Sequence, residues 1–386
     1  MRSLNDTITR LGALRARTVG TVPQPGGDRL SDLRDFGSNP GALRGRYYLP
    51  RDLKDAAALV VVLHGCTQTA EGYDRGSGWS QLADEHGFAL LFPEQTRANN
   101  PNLCFNWFNR EDTRRDAGEA LSIRQMVAAM IAAQGLDPAR VYVTGLSAGG
   151  AMTSTMLATY PEVFAGGAII AGLPFGTAAS VPEAFDRMRG HGGPEAAALG
   201  ALVAKASSHD GPWPTVSVWH GDKDATVALP NAELIVEQWR GLHGVPAQPS
   251  RTESIDGTPR RVWRDATGRD VIEEYRIAGM GHGTPLNTSG PDSCGAAGPY
   301  MLEARISSTR HIARFWGLID ETQARQAQAP HFAQRSDETD LPSGIDPAHQ
   351  NSRRPERVEA PSDLLGMESS VKRVIDGALR AAGLMR

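Results

Sequence analysis

Short continuous apolar runs alternate with helix-patterned stretches along most of the chain. Leu59-Val-Val-Val-Leu63, Phe88-Ala-Leu-Leu-Phe92, Val141-Tyr-Val-Thr144, Gly167-Ala-Ile-Ile-Ala171 and Thr215-Val-Ser-Val-Trp219 read as strands covered on both faces. Val271–Ile277 continues the set, and residues 43–49 alternate as a half-exposed strand does. Between them, residues 79–86, 119–134, 148–160, 231–242 and 302–315 carry the 3.6-residue period of helices. Strands and helices in alternation predict an α/β chain built on a doubly wound, mostly parallel sheet flanked by helices.

The pattern breaks in three places. Residues 173–214, rich in Gly, Ala and Pro, read as an insertion after the fourth buried strand, able to wall the mouth of a site. Residues 321–366 lose all apolar period and read as a polar, disordered linker, ahead of a C-terminal amphipathic helix over 367–386. Residues 1–42 read as an N-terminal helix, marked by Leu4, Ile8, Leu11 and Leu14, with a lead-in to a catalytic domain over 43–320.

Composition changes this picture little. The 386 residues carry 40 basic and 44 acidic side chains, a net charge of −4, which argues against nucleic acid as a partner. No apolar run is long enough to span a membrane, and the N-terminus shows no signal-peptide core, which leaves cytoplasm and export both open. Three cysteines are too few for a disulfide scaffold or a structural zinc site. Cys66 and Cys104 are either buried free thiols or a bridge that leaves Cys294 over.

Candidate chemistry centres on Gly145-Leu-Ser147-Ala-Gly149, entered from a strand and left by a helix. A serine at such a turn is strained, with its hydroxyl pushed out, and needs a base and an orienting acid to become a nucleophile. His282, in a Gly-rich loop after the last strand, is the best base; as a bland alternative it is a surface histidine in a turn. The acid is Asp224 in His220-Gly-Asp-Lys-Asp224, with Asp222 as fallback. Oxyanion donors are expected from the Ala148 N–H and from Cys66, where a buried strand runs into His64-Gly-Cys66. His64 itself is expected to support that loop by hydrogen bonding. Trp107 and Phe108 are either an apolar acyl-binding wall or core. The order Ser147, Asp224, His282 is that of the α/β-hydrolases, and this chemistry requires no metal or cofactor.

The blocks Leu63–Gln68, Gly78–Asp84, Phe92–Gln95, Cys104–Phe108, Gly145–Met152, Tyr160–Gly166, His220–Val227 and Gly279–Thr284 resemble the polyhydroxybutyrate depolymerase-type esterases, relatives of the feruloyl and acetylxylan esterases. The resemblance runs from about Arg44 to Gly317. It implies the α/β-hydrolase fold and a secreted serine esterase, with Ser147, Asp224 and His282 as triad, that cuts short-chain hydroxyalkanoate esters. The polar tail does not look like a granule-binding domain, so soluble esters or oligomers are the expected substrates. The alternative is a carbohydrate esterase of feruloyl or acetylxylan type; a serine peptidase or a non-enzymatic binder fits the motifs less well.

Overall fold

Alternate residues of one buried strand point into two different cores, and that decides the architecture. The computed structural model describes residues 28–290 and 292–319. In β3 (Leu59–Leu63), Leu59, Val61 and Leu63 join Ile123, Met126, Met152, Met156 and Trp239 on one face. Val60 and Val62 join Tyr73, Trp79, Leu82 and Ile312 on the other. A strand with apolar neighbours on both sides gains nothing from polar alternation, which is why the run is unbroken. The result is a helix–sheet–helix sandwich.

The other strands are β1 (Ser31–Leu33), β2 (Arg44–Tyr48), β4 (Ala89–Glu94), β5 (Val141–Leu146), β6 (Gly166–Ile170), β7 (Thr215–Gly221), β8 (Arg251–Ile255), β9 (Thr258–Arg264) and β10 (Asp270–Ile277). They form one ten-stranded sheet in the order β1-β2-β4-β3-β5-β6-β7-β10-β9-β8. From β4 to β10 every neighbouring pair is parallel, and antiparallel strands close both edges. A short parallel pair, β11 (Thr284–Leu286) and β12 (Met301–Glu303), lies outside this sheet.

Helices Gly118–Gln134, Ala148–Thr159 and Pro230–His243 cover the first face; Ala70–Ser77, Trp79–His86 and Ser308–Phe315 cover the second. The last helix starts later than its apolar spacing predicts. Residues 301–303 pair as β12, and the Ser307 hydroxyl caps the helix by accepting from the Arg310 N–H at 3.3 Å. Residues 173–214 hold two helices, Val181–Met188 and Ala196–Ala204. The second is fastened to the Pro230–His243 helix by Gln238, whose Nε2 donates to Leu199 O at 3.2 Å. The expected N-terminal helix around Leu4–Leu14, the 321–366 linker and the 367–386 helix lie outside the described residues.

Candidate active site

Two glycines bracket Ser147 because nothing larger fits. A Cβ on Gly145 would lie 2.4 Å from Gly149 O, and one on Gly149 would lie 2.3 Å from Leu63 O. The helix Ala148–Thr159 therefore starts hard against the end of β3, and Ser147 at the bend takes φ 57°, ψ −116°. A non-glycine residue at positive φ is costly, and such strain collects at functional turns. The Ser147 N–H donates to Ile170 O at 2.9 Å, which pins the bend to β6. Among the described residues its hydroxyl has no hydrogen-bond partner.

Backbone hydrogen bonds stitch the carboxyl edge of the sheet from this point onward. Ala171 N–H donates to Trp219 O at 2.8 Å, Asp222 N–H to Ile277 O at 3.0 Å, and Lys223 N–H to Met280 O at 3.0 Å. Two strands, β6 and β7, stand between Ser147 and the end of β10, about 14 Å at ordinary strand spacing. The bond to Met280 folds the loop after β10 back over β7 and so carries His282 inward. Gly221 permits it, since a Cβ there would lie 2.2 Å from Met280 O.

His282 Nδ1 donates to Asp224 Oδ2 at 2.7 Å. The other Asp224 oxygen accepts the N–H groups of Thr226 and Val227, both at 2.8 Å. Burial is the largest single influence and disfavours the charge, but the His282 hydrogen bond, the two neighbouring imidazoles and the Val227 N–H together outweigh it and hold the Asp224 carboxyl below its ordinary range. A second imidazole, His220, is buried beside it. Its Nε2 donates to Val227 O at 2.8 Å and stands 3.5 Å from Asp224 Oδ2. Burial lowers the His220 pKa, so this ring stays neutral. Asp222, the fallback acid, turns the other way: its Oδ1 accepts the Gly279 N–H at 2.8 Å and steadies the loop that carries His282.

The proposed oxyanion donors face no competition within the protein. Among the described residues, neither the Cys66 N–H nor the Ala148 N–H has an acceptor. Cys66 and Cys104 form a disulfide with Cα atoms 4.2 Å apart, which replaces the alternative of two free thiols; Cys294 is free and buried. His64 is fully enclosed, tilted against Phe105 with ring centroids 5.0 Å apart, and kept neutral by burial, which lowers its pKa.

Trp107 packs with Ala151, Leu173, Val227 and Met188 in a small apolar cluster of its own. Ala151 lies one turn beyond Ser147 and Val227 lies in the Asp224 loop, so this cluster joins the serine helix to the acid loop. Phe108 meets Trp107 edge-on at 5.7 Å. Met188 shows that the 173–214 insertion reaches this cluster, and its carbonyl accepts the Ala228 N–H at 2.7 Å. Sequence reasoning passed over Tyr300. It sits at φ 62° with its ring edge-on to His282 at 6.1 Å. No local pattern marks it; only the β11–β12 pairing brings it there.

A parallel core sheet with antiparallel edges, helices on both faces and a nucleophile-type bend at its carboxyl edge define an α/β-hydrolase. The chain belongs to the Esterase PHB depolymerase family, whose model matches residues 44–254, a span that holds Ser147 and Asp224 and ends before His282. Poly(3-hydroxyalkanoate) depolymerase C of Paucimonas lemoignei is 46% identical over 75% of this chain and 70% of its own length. Acetylxylan esterase of Coprinopsis cinerea is 31% identical over 68% of this chain and 71% of its own. The acetyl xylan esterase structure from Aspergillus awamori superposes with a TM-score of 0.64 at 24% identity, covering 75% of this chain and 99% of that one. The last likeness speaks to the fold. With the family and these relatives, the protein is a carboxylic ester hydrolase.

Proposed function

We propose that Ser147, His282 and Asp224 hydrolyse esters of short-chain hydroxyalkanoic acids through an acyl-enzyme. The observation that carries the reading is the 2.7 Å bond from His282 Nδ1 to a buried Asp224, at the same sheet edge as the strained Ser147. With Nδ1 committed to Asp224, Nε2 is the nitrogen free to take the Ser147 proton. Ser147 Oγ attacks the ester carbonyl, and the N–H groups of Cys66 and Ala148 receive the oxyanion. The C–O bond then breaks, and the alcohol leaves with the proton from His282. Water, deprotonated by the same imidazole, hydrolyses the acyl-enzyme and restores Ser147.

The substrate class follows the relative that is a poly(3-hydroxyalkanoate) depolymerase. Trp107, with Phe108 against it, forms an apolar acyl wall, and the 173–214 insertion closes it through Met188. A second reading, deacetylation of a carbohydrate, is favoured by the acetylxylan esterase relatives. The Cys66–Cys104 bridge supports folding in an oxidising compartment and hence export.

The test is a substrate panel of hydroxybutyrate oligomers, acetylated xylan, methyl ferulate and p-nitrophenyl esters of graded length, each with the parent and Ser147→Ala. Oligomer turnover that disappears in Ser147→Ala is the expected result. Preference for acetylated xylan transfers the assignment to the second reading, and turnover by Ser147→Ala removes both.

A further inference from the structure

Glu119 is a fully buried carboxylate that the proposed mechanism leaves unused. It is wholly shielded from solvent and, among the described residues, has no ion-pair partner. Instead, four amide donors converge on it. Oε1 accepts from Gln95 Nε2 at 2.6 Å, Asn106 Nδ2 at 2.8 Å and Asn99 Nδ2 at 3.1 Å; Oε2 accepts the Asn106 N–H at 2.8 Å. Burial, then the neighbouring carboxylate of Asp112, push its pKa up to about 8 against the pull of those donors. A group held at such cost calls for a reason beyond packing.

The network leads to the oxyanion loop by two routes. Gln95 Nε2 also donates to Cys104 O at 2.9 Å, and Cys104 is bonded to Cys66. The backbone N–H of Gln95 donates to His64 Nε2 at 3.1 Å, which leaves the ring proton on Nδ1, and Nδ1 donates to Gly65 O at 2.8 Å. In a trans peptide the carbonyl and the following N–H point in opposite directions. Holding Gly65 O inward therefore aims the Cys66 N–H outward. The flanking groups are tied as well: Gly65 N–H donates to Gln68 Oε1 at 2.8 Å and Thr67 N–H to Asn102 O at 2.7 Å. The Cys66 N–H is the donor left over between them.

We propose that Glu119 is a positioning residue for the oxyanion hole, which presets the Gly65–Cys66 peptide through Gln95 and His64 and through the Cys104 end of the disulfide. The inference rests on the reading of Cys66 as an oxyanion donor. Loss of one such donor costs roughly a hundred- to a thousandfold in kcat, so a tilted one should cost tens-fold.

The experiment compares the purified full chain with Glu119→Gln. It measures kcat and KM for p-nitrophenyl butyrate and the affinity of a boronic acid that forms a tetrahedral adduct on the serine. In Glu119→Gln one of the four donors meets an NH2 group. Expected are a kcat lower by tens-fold, a KM within about twofold, and boronate binding weakened by about the kcat factor. A folded variant with parental kcat, or one altered in KM alone, overturns the inference. If Glu119→Gln does not fold, His64→Asn and His64→Gln decide. The Asn amide ends near the Nδ1 position and keeps a donor for Gly65 O, whereas the longer Gln places its amide near the Nε2 position, where its oxygen accepts the Gln95 N–H and Gly65 O is left without its donor. Asn should keep at least tenfold more kcat, and equal losses or the reverse order overturn the inference. Turnover by Ser147→Ala would instead mean that the underlying site reading has failed.

Discussion

Asp224 and Asp222 stand two positions apart in one loop, yet their side chains do different work. One accepts His282 Nδ1 and two backbone N–H groups in a buried setting; the other caps Gly279 at the surface. Asp224→Asn should lower kcat/KM by about a thousandfold or more, because an amide presents a donor where the imidazole needs an acceptor. Asp222→Asn keeps an oxygen for Gly279 and should stay within about tenfold; esterase kinetics on both variants separate the roles. Tyr300 allows a sharper test. A non-glycine residue at φ 62° is strained by about 1 kcal/mol or more, and Tyr300→Gly relieves that while removing the ring against His282. Its thermal midpoint should fall less than that of Tyr300→Ala, yet kcat should drop about tenfold in both. Parental kcat in a folded Tyr300→Gly would show that the ring does not orient the imidazole. The sequence ranked Asp224 ahead of Asp222 by its place in the loop, whereas nothing local marked Tyr300. What each aspartate holds, His282 for one and the Gly279 N–H for the other, is seen only in the folded loop.

At the scale of elements, legibility followed burial. The strands that became β3, β5 and β7 showed as apolar runs because both faces are covered, and the helices against them showed as apolar stripes. The β8–β9 hairpin was passed over because charged pairs such as Glu253 with Arg260 replace apolar ones on an edge. Its turn was marked all the same: Asp256 and Gly257 both take positive φ, the geometry that an Asp-Gly pair favours. The helix Ala70–Ser77 hid behind two glycines, and Thr69 starts it by accepting the Gly72 N–H at 3.1 Å. The closing residue of the helix Pro230–His243 yields a prediction of its own. His243 Nε2 donates to Pro214 O at 3.0 Å, and burial lowers its pKa to about 4. Between that value and about 6.5, the unfolded chain takes up a proton that the folded chain refuses. His243 therefore costs stability as pH falls through this window and nothing above it. His243→Gln keeps a donor and removes the titration. Urea unfolding of both proteins at pH 7.5 and pH 5 should show the variant gaining about 2 kcal/mol on the parent at the lower pH. An unchanged difference would mean the ring titrates alike in both states.

Across the whole molecule, the sequence carried the strand–helix alternation and the residues of the candidate triad, but left the state of Cys66 and Cys104 open. Spacing alone does not bring two thiols together; the fold does so by ending β3 and β4 side by side, so that the loop after each meets the other. The bridge has two consequences that can be measured apart. It closes a segment with a sequence separation of 38, which by chain entropy alone stabilises the fold by about 4 kcal/mol. It also ties the loop that carries the Cys66 N–H to the loop that carries Trp107. Replacing Cys104 by Ser should lower the urea midpoint in line with that stability loss. At temperatures where the variant is still folded, kcat should fall by severalfold while the Ser147 hydroxyl remains reactive toward a fluorophosphonate probe. A stability loss with kcat untouched would make the bridge a staple of the fold alone. A kcat loss in the folded variant ties covalent closure of the sheet edge to the chemistry performed there.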